Sequence, residues 1–200
     1  LVLKSNFFHH VLSGLSMQVT LSIWVNGKRI DQRTGSLLWT HFGISGPVVM
    51  DASRFWIIAN AQNQEVQVRC HFLADQSFAQ VDQWFTQQAA TTPKRSVASI
   101  LNQQLPHRFV QVLLERLTII PTSPIGQLKR ETRRQLVHAL TDLPLPIEHQ
   151  RGWNYVEVTA GGVPLNEVDS KTMASRHVPG LYLVGEMLDC DGRIGGFNFQ

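Results

Sequence analysis

The chain has 200 residues, of which 43% are hydrophobic and 16% charged, with a formal net charge of +3 and a pI near 9.1. That is enough chain for about one domain to one and a half with a real core. No apolar run is long enough to span a bilayer, and two distant cysteines argue against a disulfide scaffold or a Cys-based zinc site. The expectation is a cytoplasmic protein without a membrane partner.

Residues 17–30, MQVTLSIWVNGKRI, alternate at Val19, Leu21, Ile23 and Val25 before Asn26-Gly27, the strongest short hairpin signal. DQRTGSLLWTHFG returns as the partner strand, with Thr34-Gly35 punctuating it. In SGPVVMDASRFWIIANA, Pro47 occupies a first helical position behind a Ser45 or Gly46 cap, which predicts a helix. EVQVRCHFLAD alternates again as a strand.

From about Ser77 to Leu140 the pattern is helical. SFAQVDQWFTQQAA carries an apolar stripe at Phe78, Val81, Trp84 and Phe85. RSVASILNQQL is short, HRFVQVLLERL follows Pro106, and IGQLKRETRRQLVHALTDL stops before Pro144 and Pro146. Beyond these prolines, WNYVEVTAGGV and PGLYLVGEML are β-rich runs that each empty into glycines, as strands of a nucleotide-binding sheet do at their carboxyl ends. The predicted fold class is α+β: a β-rich part over residues 1–75, a helical part over 76–142, and a separate tail over 151–200.

Few motifs carry chemistry by themselves. Gly195-Gly196 lets backbone amides approach an anion, or is a structural turn; Gly161-Gly162 has the same two readings. Glu186 either accepts hydrogen bonds from sugar or ribityl hydroxyls or is a surface carboxylate. His41, in WTHFGISGP, is either presented to a cleft or satisfies backbone groups with Thr40. DCDGRIGG resembles the start of a calcium loop but lacks the later acidic ligands. The scattered histidines do not suggest zinc. The densest cations, Lys129, Arg130, Arg133 and Arg134, fit a solvated helix surface better than a nucleic-acid face. The expectation is therefore a small-molecule substrate and no nucleic acid.

GSLLWTHFGISGPVVMDASR and VEVTAGGVPLNEVDSKTMASRHVPGLYLVGEMLDCDGRIGGFNFQ together resemble the BaiN/YhiN-type FAD-dependent oxidoreductases, also labelled an aminoacetone-oxidase family. The resemblance covers almost the whole chain in order. It implies a Rossmann-like FAD domain split by an inserted domain, residues 1–150, with 151–200 as the returning FAD-domain segment. The chain starts without Met and stops at a glycine turn, so we expect a piece of a longer protein. Its G-x-G-x-x-G fingerprint would lie upstream of Leu1. By the family pattern Thr159, Ala160, Gly161, Gly162, Val163, Gly185 and Glu186 line the flavin site. Gly195, Gly196, Phe197 and Asn198 would bring backbone amides to the isoalloxazine or pyrophosphate. Ala174 stands where the family carries Glu, and Phe197 where Tyr is common, which argues against a proton relay through either position.

The implied activity is hydride transfer by FAD, with NAD(P)H as electron donor and the insert shaping the substrate pocket; His41 is the candidate acid or base. The alternative is that these 200 residues hold no cofactor and act as a non-catalytic binding domain, with exposed strand edges for self-association.

Overall fold

In the computed structural model, which describes residues 1–74, 76–156, 160–190, 192 and 194, Asn26 and Gly27 take φ of 50° and 76°. Positive φ at both centres is the requirement of a type I′ turn. The turn joins β2 (Ser16–Val25) to β3 (Lys28–Thr40). Thr34-Gly35 does not interrupt β3, contrary to the sequence expectation. Gly35 pairs with Val19 in mid-strand, and a Cβ there would stand 3.3 Å from Val48 Cβ. Glycine is used for the close approach of a helix, not for a turn.

With β1 (Val2–Leu3), β4 (Gly43–Ser45), β5 (Val66–His71), β6 (Leu143–Leu145) and β7 (Ile147–His149), these strands form one seven-stranded sheet in the order β6-β5-β2-β3-β4-β1-β7. Every pairing is antiparallel. Laid flat, its edges would lie about 29 Å apart at the usual strand spacing. Yet the edge strands β6 and β7 are joined by Pro146 alone. The sheet must therefore roll into a near-closed barrel.

Val19, Leu21 and Ile23 of β2, Leu37 and Trp39 of β3, and Val68 and Cys70 of β5 are at most 1% exposed. Their alternation along each strand fills the interior. Helix α1 (Pro47–Ala61) is capped by Gly46 with Pro47 as its first residue, as the cap expectation allowed. Its stripe of Val48, Ala52, Trp56 and Ala59 is buried against the sheet. Arg33 ties β3 to this helix: it bonds Asp31 at 2.8 Å, reaches Asp51 at 4.0 Å and lies over the Phe55 ring.

The helical part leaves the barrel between the paired strands β5 and β6. It comprises α2 (Phe78–Thr91), α3 (Val97–Leu101), α4 (His107–Arg116) and α5 (Arg130–Thr141). Ser77 and Gln80 close a reciprocal capping box on α2. Phe109 of α4 packs, tilted, on Phe72 and stacks with Trp39 at centroid distances of 4.5 and 6.5 Å, so barrel and helices share one core. Arg108 donates to the carbonyls of Val11 and Ser13, and Arg116 covers Phe7 and Phe8. A helix reaching back to Ile125 is expected from sequence, but α5 begins at Arg130 after a short 3-10 turn at Ile125–Gln127.

The chain divides into two compact units, Leu1–Gln150 and Arg151–Gln200. Among the described residues of the second, the expected β-rich runs form short 3-10 turns and isolated bridges, Val163 with Leu188, Val168 with Ser175 and Ala174 with Tyr182. An isolated pair of strands is marginal in water, and these segments find one partner residue at a time.

Candidate functional site

Two of the glycine-bearing segments singled out in the sequence meet in the second unit. Val163 donates its N–H to Met187 O at 2.8 Å and accepts from Asp189 N–H at 2.9 Å, a parallel bridge. Gly162 permits the approach, because a Cβ there would lie 2.5 Å from Met187 O. Gly161 and Gly185 take φ of 94° and 76°, with open space where a side chain would stand. Their amides meet no protein acceptor among the described residues. Ala160 and Glu186 are exposed beside them. The pairing thus brings Ala160–Val163 and Gly185-Glu186 together. Thr159, Gly195, Gly196, Phe197 and Asn198 lie outside the described residues.

The loop between them is held by Asp169, whose carboxylate accepts the N–H groups of Lys171 and Thr172 at 2.9 and 3.0 Å. Those bonds hold its pKa below the usual carboxylate value. Ala174 donates its N–H toward Thr172 Oγ1 and its carbonyl accepts from Asp169 N–H. The position where the family carries Glu is thus a backbone link here.

In the first unit, His41 sits exposed on the turn between β3 and β4, its ring edge-on to Phe42. Thr40 satisfies the backbone of that turn, accepting from Gly43 N–H at 3.0 Å. Gly43 is fixed by crowding: a Cβ would stand 2.4 Å from Leu1 O. Sequence reasoning missed His9, which is buried behind the same turn with Nδ1 lacking a partner among the described residues. Burial, and then the neighbouring His10, lower its pKa, against the pull of the His41 backbone. His71 is also lowered by burial. Its Nε2 faces Gln76 O at 2.8 Å and its Nδ1 faces Leu73 N–H at 3.1 Å, which suits the neutral ring. No spacing signal marks either histidine in advance.

Two grooves lie elsewhere in this unit. One of about 550 Å³ runs along the barrel seam by Lys4, Trp56, Arg69, Asp142 and Pro146. One of about 400 Å³ lies between Ser16–Gln18 and Gln104–Pro106. Neither includes a candidate site residue from the sequence. Among the described residues no cluster of three or more His, Cys, Asp or Glu is placed to hold a metal. No helix of the described residues is long and apolar enough to cross a membrane.

Comparison with known proteins adds what geometry cannot. The family described as HI0933-like protein barrel and H2TH domain matches residues 1–158. A ribosomal RNA dihydrouridine synthase of Escherichia coli (strain K12) is 37% identical over 82% of the chain and 39% of its own length. One of the same name from Haemophilus influenzae is 32% identical over 98% of the chain and 46% of its length. A 3-dehydro-bile acid delta(4,6)-reductase of Clostridium scindens is 31% identical over 94% of the chain and 46% of its length. The chain thus spans less than half the length of these relatives. Two of the names contain ribosomal RNA, which overturns the expectation that nucleic acid plays no part.

Proposed function

The chain belongs to the family of HI0933-like barrel and H2TH domains, and on that premise we propose that it serves a flavin-dependent reductase acting on uridine in ribosomal RNA. The observation that carries this reading is the shared chemistry of its relatives at 37%, 32% and 31% identity. "Dihydrouridine synthase" and "delta(4,6)-reductase" both denote saturation of a carbon–carbon double bond. In uridine, as in a ketosteroid diene, that bond is conjugated to a carbonyl. The β carbon then takes a hydride and the α carbon a proton, which balances the reduction.

When bound, FAD supplies the hydride, with NAD(P)H as the source of electrons. The second unit fits such a group in kind: Gly161 and Gly185 expose unpartnered amides beside open space. Ala160–Val163 would hold one edge of the flavin and Gly185-Glu186 another, through backbone dipoles that need no rearrangement. Within the family, the tail motifs favour the BaiN/YhiN type. Residues 1–150 would cover the flavin and shape the pocket, and 151–200 would belong to the nucleotide-binding sheet. His41 is the proposed proton donor; its exposed imidazole carries no competing ion pair among the described residues.

The test is disruption of the gene in its own organism, followed by mass spectrometry of nucleosides from ribosomal RNA. Loss of dihydrouridine, restored by complementation, is the expected result. Unchanged dihydrouridine overturns the RNA substrate. Reduction of a small conjugated ketone by the whole protein would then favour the chemistry named for the third relative.

A further inference from the structure

The helical part carries eight Lys and Arg against four Asp and Glu within residues 76–142, the largest charge excess in the chain. Its cations fall into two groups with different surroundings. Arg108 and Arg116 face the barrel, Arg133 bonds Asp82 at 2.8 Å, and Arg134 lies over the Phe78 ring. Lys94, Lys129 and Arg130 are exposed and make no ion pair among the described residues. Arg95 donates to neutral groups only: Ser99 Oγ at 3.1 Å and, in the amide orientation that satisfies both sides, Gln103 Oε1 at 2.7 and 2.9 Å. Its charge is positioned but not cancelled.

These residues are more than thirty positions apart in sequence, yet the fold joins them. The loop before α3 and the loop before α5 are laced together by backbone bonds. Gly126 N–H donates to Pro93 O at 3.0 Å, Ile125 to Arg95 O at 2.7 Å, Val97 to Ser123 O at 2.9 Å and Ala98 to Pro121 O at 3.1 Å. A Cβ on Gly126 would lie 2.8 Å from Pro93 Cβ, so glycine is what lets the loops close. Lys94 follows Pro93, and Lys129 lies three residues beyond Gly126. At the reach of an extended chain, the Cα atoms of the four residues fall within about 25 Å of one another. Of the nearby acids, Asp82 and Asp142 are held by Arg133 and Arg69, leaving Glu131 exposed in the first turn of α5 and Glu115 on α4. The balance on this ridge stays positive.

We propose that the ridge formed by Lys94, Arg95, Lys129 and Arg130 is a docking surface for the phosphate backbone of folded RNA. This rests on the proposed RNA substrate and adds where the RNA is gripped. Such contacts fix register and orientation without reading sequence. They also release counterions, so affinity falls steeply with salt. An acidic protein would need its own carboxylates placed opposite each cation; an RNA duplex supplies closely spaced charges along any such ridge.

The experiment measures binding of the purified 200-residue chain to a fluorescent ribosomal RNA hairpin across a salt series. The variant Lys94→Glu/Lys129→Glu/Arg130→Glu is compared with Lys28→Glu/Arg29→Glu at the tip of the β2–β3 hairpin. The ridge variant should lose at least about tenfold in affinity. The slope of log affinity against log salt should fall by about 0.7–0.9 per lost phosphate contact. The hairpin variant should bind as the parent does. Circular dichroism checks both folds, and the neutral Lys129→Gln/Arg130→Gln pair replaces the reversal if it misfolds. Equal loss in both variants, no loss in the ridge variant, or displacement of RNA by poly-glutamate as readily as by unlabelled RNA overturns the surface. A parent chain that binds no RNA at low salt also overturns it, while the dihydrouridine assay decides the substrate independently.

Discussion

The two units handle apolar surface in opposite ways. Residues 1–150 bury theirs in one continuous core that runs from the barrel through Phe72 and Phe109 into the helices. Among the described residues of the second unit, Val168 is the one buried hydrophobic side chain, while Trp153, Leu165, Tyr182, Val184 and Met187 are exposed. Apolar surface of that extent marks a region suited to contact with something else. The first unit is held by packing, the second by backbone bonds around glycines. Packing resists perturbation by itself; a hydrogen-bonded loop network gains stability from whatever binds it.

Limited proteolysis should show this difference most strongly. First cuts are expected within residues 151–194, leaving a resistant core that ends near Gln150; early cleavage between α2 and α5 would break the contrast. Adding FAD should slow cutting at Gly161 and Gly185 if these turns meet the cofactor. Next in size is the barrel core. Trp39→Ala should cost about 3–5 kcal/mol in urea unfolding, because Trp39 is fully buried among Phe8, Phe72 and Phe109. A loss under about 1 kcal/mol would mean the barrel core is not packed as described. Gly126→Ala should cost about 1–3 kcal/mol by overpacking against Pro93 and should raise amide exchange at Ile125 and Gly126.

A smaller effect is expected from acid. His9 and His71 are both held below the ordinary histidine value by burial. The unfolded chain therefore takes up protons first as pH falls through about 6.5. Stability is fully present above that value and declines below it. Thermal unfolding between pH 7.5 and pH 5.5 measures the slope, and His9→Phe should make it shallower. The smallest effect is at the surface: Asp82→Ala should cost less than about 1 kcal/mol, since the Asp82–Arg133 pair is partly solvated.

Much of the first unit is legible in the sequence. Asn26-Gly27 fixes the hairpin, Pro47 fixes the start of α1, and Pro106 precedes α4. These signals are local, so local reading finds them. Pro144 and Pro146 mislead for the same reason. They end the helix, but Pro144 also sits inside the edge strand β6 and Pro146 joins it to β7, where a missing N–H is tolerated. Nothing local says that β6 and β7 complete the barrel. Gly35 reads as punctuation and Gly126 as part of a helix, and only the packed structure shows that Val48 and Pro93 require glycine there. In the candidate site, backbone pairing sets Ala160–Val163 beside Gly185-Glu186 through bonds that no local signal in the sequence marks. The proposed ridge showed only in part: Lys129 and Arg130 are adjacent in the sequence, whereas Lys94 and Arg95 come from a loop the chain visits far earlier.

The placement of β6 and β7 also governs timing. The barrel's two edges are contributed by residues 143–149, on either side of Pro146. During synthesis every earlier strand and all of the helical part must be made before the sheet can close. Until then β5 and β1 each lack a partner that only this short segment supplies. The helices are local structures that form quickly, whereas this closure pairs residues far apart in the chain and is slow. The order of events therefore puts a folded helical part in place before the barrel is sealed, with seven residues acting as the clasp.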